Sequence, residues 1–268
     1  MFPPERIVCL TEETVETLYL LGEDRRIVGV SGYAVRPPRV RKEKPRVAAF
    51  ITADVDKILA LAPDLVLTFS DLQADVVAAL IRRNVAVHAF NQRDVAGILD
   101  MIRTLGALTG AAGAADVLAR SLAEKLAVVR GRLANGRQPR VYFEEWDDPM
   151  ISGIRWVAEL VETAGGIEVF PELSRRKNAK DRIVSARDVI AAAPDIIVGS
   201  WCGKKFVPAK VAARDGFADV PAVRTGWLRE IKSALILQPG PAALTDGLDA
   251  LVAIVDEWRA QQERSSRA

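Results

Sequence analysis

Between residues 144 and 148 the sequence places four carboxylates, in the run Glu144-Glu145-Trp146-Asp147-Asp148. Crowded carboxylates raise one another's pKa by repulsion, and a pair can run acid–base chemistry. No nucleophile and no cofactor loop lies beside this run, so no catalytic residue is assigned, no catalytic cofactor is expected, and the chain is not read as an enzyme. The expected role is one wall of a binding site that repels anions and accepts hydrogen bonds from amides and hydroxyls. A solvated acidic loop is the plainer alternative.

Metal chemistry has few candidates. Cys9 and Cys202 fall at the ends of strands in opposite halves of the chain, and with Glu12 or Glu144 they would make a mixed thiolate–carboxylate site. They are weak candidates, because a zinc or manganese site draws on more histidines than the single His88, which lies inside an apolar strand run. Two cysteines make no disulfide framework. No Gly-rich loop opens a helix after a strand, and no P-loop, Gly-x-Ser-x-Gly elbow, zincin motif or Cys-x-x-Cys occurs.

The 37 basic and 35 acidic residues give a net charge of +2, which argues against nucleic acid as partner. No apolar run reaches the roughly 18 residues that span a bilayer. Met1-Phe2-Pro3-Pro4-Glu5-Arg6 offers neither a basic n-region nor an apolar h-region, which by itself points to the cytoplasm. The basic stretch 36–46, with Pro37-Pro38 inside it, reads as a solvated loop or a docking patch.

The elements that must position these residues come from a repeat. Residues 54–67 and 185–198 match at an offset of 131, with Pro63-Asp64 over Pro194-Asp195 and Leu65-Val66-Leu67 over Ile196-Ile197-Val198. Arg6-Ile7-Val8 and Arg140-Val141-Tyr142 repeat at a separation of 134. In the first half, short apolar runs at 7–10, 26–30, 65–69 and 85–90 alternate with helical patterns at 12–21, 54–62, 71–83 and 94–109. An Ala-rich helix over 111–134 follows, with Leu118, Leu122, Leu126, Val129 and Leu133 at helical spacing. Strands are then expected at 140–144, 195–199 and 227–231, with helices at 155–164, 185–193, 207–214 and 241–259. Alternation of this kind implies α/β architecture with parallel sheets. The expectation is two related lobes, 1–110 and 137–268, joined by one long helix at 111–136, with a ligand cleft between the lobes.

In parallel sheets ligands bind beyond the carboxyl ends of the strands. Thr11, Glu12, Tyr33, Phe69 and Asp71 sit there in the first half, and Phe50 precedes the helix at 54–62. In the second half the residues are Glu145, Trp146, Ser152, Trp156 and Trp201. The chain has only five Trp, three Tyr and eight Phe, and many of them fall in this set. Aromatic loop residues offer broad, rigid apolar surface, which suits a large flat ligand better than a sugar or an ion.

These same residues carry a family resemblance. The segments Arg6–Gly22, Arg26–Tyr33 with the following Pro37-Pro38, Ile58–Leu67, Ala164–Phe170 and Ala193–Val198 resemble binding proteins of ABC importers for cobalamin and ferric siderophores. The match runs over about residues 5–258 and is nearest the cobalamin branch. The resemblance implies a monomeric solute-binding protein without catalysis, holding cobalamin, another corrinoid or a metal chelate such as haem or a ferric siderophore. It also implies an ABC permease partner and a periplasmic location, against the cytoplasmic sign of the N-terminus. A cytosolic carrier, a sensor or an enzyme acting on a corrinoid stands as the alternative. Acidic residues that dock such proteins on a permease map to Asp56 in the first lobe and, in the second, to Arg187 with Asp188 beside it.

Overall fold

The computed structural model describes residues 2–49, 52–132 and 137–267. The chain divides into two compact units. One holds the residues up to Gln92 with Ala96–Ala123, and the other holds Arg93–Val95 with the residues from Glu124 onward. The helix Ala112–Arg132 begins in the first and ends in the second, so it is the long connecting helix expected from sequence. At 1.5 Å per residue its 21 residues run for about 30 Å.

The first lobe is built on five parallel strands, β1 (Ile7–Cys9), β2 (Ile27–Ser31), β3 (Arg46–Ala48), β4 (Leu65–Phe69) and β5 (Val87–Phe90), in the order β3-β2-β1-β4-β5. The apolar runs of the inner strands β1, β2 and β4 are buried on both faces, as parallel sheets require, while the edge strands β3 and β5 are partly exposed. Val8, Leu10, Val47, Ile58, Val66 and Leu80 form one core cluster. Each fully buried aliphatic side chain contributes on the order of 1.5–3 kcal/mol. Gly106 lets the connecting helix cross the preceding helix closely, because a Cβ there would lie 2.2 Å from that of Ala115.

The second lobe carries β6 (Arg140–Asp147), β7 (Met150–Ser152), β8 (Ile167–Glu168), β9 (Ile196–Gly199) and β10 (Leu228–Glu230), ordered β10-β9-β6-β7 with β8 also paired to β6. All these pairings are parallel except β6 with β7. That exception adds one antiparallel hairpin to the expected parallel sheet. It also corrects the end of the strand expected at 140–144: the acidic run is the last half of β6, turning at Asp148-Pro149 into β7. Period-2 alternation is obscured there by a register shift between Glu144 and Trp146.

The sequence repeat is visible as one repeated joint. Ala62 and Ala193 both adopt φ 44° where a helix stops before Pro-Asp. Asp64 then accepts hydrogen bonds from the backbone N–H groups of Glu5 (2.7 Å) and Arg6 (2.9 Å), and Asp195 from that of Arg140 (2.9 Å). The guanidiniums reach back, Arg6 Nε to Leu61 O at 3.0 Å and Arg140 Nε to Ala192 O at 2.9 Å. Each joint ties the start of β1 or β6 to the turn that feeds β4 or β9. The basic stretch 36–46 is not a bare loop. It holds a helical turn, Val40–Glu43, and runs into β3, with Arg36 paired to Glu16 (2.8 Å) and Lys44 bonded to Asp24 O (2.7 Å).

Candidate functional site

The strand ends of the first lobe are mostly closed. Helix Glu12–Leu20 starts directly after β1 and pulls its first turn into the protein, so Thr11, Glu12 and Glu13 are all buried. Thr11 Oγ1 donates to Glu13 Oε1 at 2.7 Å and Ser31 Oγ to Glu12 Oε1 at 3.2 Å, while Glu12 Oε2 is buried with no partner. Burial, and then repulsion from Glu12, push the Glu13 carboxyl up to about 8. Burial also raises Glu12. Phe69 is buried as the last residue of β4. Gln73 stitches the two central strands by accepting from Phe69 N–H (2.9 Å) and donating to Leu10 O (3.2 Å). Exposed surface at these ends comes from Tyr33, 55% accessible, with Asp71 and Leu72. Thr11, Glu12 and Phe69 therefore shape this end from beneath. Phe50 lies outside the described residues.

The second lobe is organised around buried charge. Glu144, fully buried in β6, receives a bidentate Arg214 at 2.6 and 2.9 Å and the indole N–H of Trp201 at 2.9 Å. Glu145 is held bidentately by Arg182 at 2.6 and 3.1 Å. That guanidinium is buried, also bonds Ser152 O, and its own carbonyl accepts from Ser152 Oγ at 3.1 Å. Asp147 pairs with Lys204. Burial opposes ionisation of Asp147, but the bond to Lys204 outweighs it and holds the carboxyl below its usual range. The hydroxyl of Tyr142, buried and beside Glu144, is pushed well above its ordinary range.

This arrangement overturns the expectation of an anion-repelling wall. Three of the four carboxylates in 144–148 have their own cation, and only Asp148 is exposed. Glu144 and Glu145, the acid–base candidates, are each paired bidentately with an arginine. Arg182, Arg214 and Lys204 are the residues that sequence reasoning missed. They sit among other basic residues with no pattern to show which would turn inward. The remaining aromatic candidates separate. Trp146 stays partly exposed in β6, its Nε1 donating to Asp148 O at 2.8 Å. Trp156 is buried, its Nε1 donating to Ile236 O at 2.9 Å, so it packs within the lobe instead of lining a surface. Trp201 is buried against Phe206, ring centroids 5.0 Å apart.

The metal candidates do not assemble. Among the described residues no three of His, Cys, Asp and Glu come together as a metal-binding group. Cys9 is buried inside β1 and its thiol is pushed up to about 12 by desolvation, away from the thiolate a metal takes. Cys202 lies on an exposed loop after β9, the counterpart of β4 and not of β1, so the two cysteines are not equivalent positions. His88 lies in β5 with its ring edge-on to Phe90 at 4.3 Å. Asp56 opens the helix Val55–Ala60 with its side chain 89% accessible. Asp188 is otherwise occupied: it closes a capping box with Ser185 at the start of helix Ala186–Ala192.

Two related α/β lobes are thus joined through a long helix, and the acidic strand end of the second is locked by cations. The family model "Periplasmic binding protein" matches residues 7–235, and the chain belongs to that family. A curated relative, the cobalamin-binding protein of Halobacterium salinarum, is 23% identical over 245 residues, covering 89% of this chain and 66% of its own length. The solved periplasmic vitamin B12 binding protein of Vibrio cholerae superposes with a TM-score of 0.77 at 22% identity, over 96% of this chain and 98% of its own. The periplasmic haem-binding protein from Roseiflexus sp. RS-1 superposes with a TM-score of 0.78 at 24% identity, over 94% and 99% of the two chains. These structural likenesses establish the fold. Among the described residues no helix is long and apolar enough to cross a membrane.

Proposed function

We propose that this chain is a solute-binding protein for cobalamin or a related corrinoid, working without catalysis as the binding component of an ABC-type importer. The observation that carries the reading is the end of β6, where Glu144, Glu145 and Asp147 are each matched by a cation and Trp146 stays partly exposed. Such a surface offers an aromatic face rimmed by fixed hydrogen-bonding groups and little net charge. That suits a large macrocycle edged with amides. Tyr33 and Leu72 are the exposed apolar residues at the strand ends of the first lobe. Curated relatives named for cobalamin or vitamin B12 support the same ligand class.

A haem or ferric-siderophore ligand is the second reading. The compensated carboxylates favour it, since the acidic run no longer excludes an anionic chelate. Exposed Asp56 is the permease-docking residue we assign to the first lobe; in the second, Arg187 occupies the matching position and Asp188 is held in its cap.

Parallel titrations with cyanocobalamin, cobinamide, haem and a ferric siderophore test the reading, followed by visible absorbance and thermal unfolding. Binding to the folded state at a hundredfold excess over Kd adds about 2.7 kcal/mol, a rise in Tm of several degrees. A rise with corrinoids alone supports the proposal, and a rise with haem or the siderophore alone moves the assignment to the second reading. No rise with any of them removes both.

A further inference from the structure

The loop after β9 is pinned at both ends and exposed in its middle. Trp201 is buried and donates to Glu144, while Phe206 is buried over Gly199, where a Cβ would lie 1.9 Å from its ring. Phe206 N–H is further held by Glu230 Oε1 at 3.1 Å. Between these anchors Cys202, Gly203, Lys204 and Lys205 are exposed. Gly203 turns the chain with φ +75°, a conformation that costs glycine nothing. From this tip the ammonium of Lys204 sits 4.0 Å from the ring centroid of Trp146 and 5.6 Å from that of Trp201, and it is ion-paired with Asp147. The Lys204 side chain is 40% accessible, so it can leave without disturbing either anchor.

We propose that Lys204 is a displaceable latch on the face of Trp146, and that it sets the specificity of the surface. This rests on the corrinoid reading above. A flat neutral macrocycle stacks on Trp146 only when Lys204 swings into solvent, which frees Asp147 to accept an amide N–H from the ligand. The latch holds because an ammonium over an indole, with a carboxylate beside it, satisfies both attractions at once. Its partial exposure keeps the hold weak. A ligand carrying its own anion loses less, because the released ammonium can pair with that anion. Lys204 thus discriminates against neutral ligands and in favour of anionic ones.

Two variants decide it. Lys204→Ala removes the latch and Lys204→Arg keeps a cation on the ring. Ligand-free K204A gains acrylamide quenching of its tryptophan emission, and the gain disappears when Trp146→Phe is added. K204A binds cyanocobalamin about three- to tenfold more tightly than wild type, the size expected of one exposed cation–π contact plus one exposed ion pair. K204R binds no more tightly than wild type. Unchanged quenching in K204A overturns the latch. So does equal or weaker cyanocobalamin binding by K204A when wild type binds. If wild type binds no corrinoid, the proposed function fails, and the quenching comparison alone still upholds or overturns the latch.

Discussion

The two lobes bury acidic side chains at the same end of their central strands, and they treat them in opposite ways. In the second, Glu144 is buried with a bidentate arginine and an indole donor. In the first, buried Glu12 accepts from the Ser31 hydroxyl and buried Glu13 from that of Thr11, and one oxygen of Glu12 has no partner. A buried carboxylate keeps its charge when a cation and donors surround it, and moves toward the protonated form when they do not. The second lobe's arrangement gives a rigid ionic post under Trp201. The first lobe's gives a site that takes up protons on folding.

The largest expected effect comes from breaking the ionic post. Arg214→Met leaves Glu144 buried and unpaired, and should cost about 3–5 kcal/mol of stability by urea unfolding at neutral pH. A cost below about 1 kcal/mol would show that water reaches Glu144 and that the two lobes differ less than their geometry implies.

Next in size is the pH dependence. Glu13, raised from 4.5 to about 8, binds more protons folded than unfolded between those values. Its contribution to stability is therefore complete below about 4.5 and is lost as pH rises through 8. Glu168 in the second lobe, buried with one unpartnered oxygen, is also pushed up to about 8, chiefly by desolvation, and acts in the same direction. Thermal unfolding across pH 5 to 9 should show Tm falling in wild type, falling less in Glu13→Gln, and least in the double variant with Glu168→Gln. A profile identical in all three would remove the proton-uptake side of the comparison.

The smallest effect separates the matched helix starts. Asp188→Ala should lose about 1 kcal/mol, since it opens a capping box. Asp56→Ala should leave stability within about 0.5 kcal/mol of wild type, as exposed substitutions do. If Asp56 docks the permease, only D56A should weaken capture of the protein by permease-containing membranes.

Most of the fold could be read from residue types. Apolar runs marked β1, β4, β6 and β9, and Pro63-Asp64 with Pro194-Asp195 marked the joint that relates the lobes. The short strands β3, β7 and β8 were missed, because two or three residues carry too little periodicity and two of these strands are fixed by pairing with β6. The site was less legible. Sequence reasoning placed its candidates at strand ends, but it could not see that Glu12 turns inward or that Trp156 packs on Ile236. Nor could it pick Arg182, Arg214 and Lys204 from among 37 basic residues. Which cation meets which carboxylate depends on contacts 37 to 70 residues apart in the chain.

That the acidic run belongs to a hairpin strand has a thermodynamic consequence for recognition. Backbone ladder bonds to β7 and β9 already restrict residues 144–147 before any partner arrives. Ordering a comparable stretch of free chain at the moment of association would oppose binding by roughly 1–2 kcal/mol per residue. Here that cost is met during folding, so a ligand that meets the end of β6 as proposed finds its backbone already ordered.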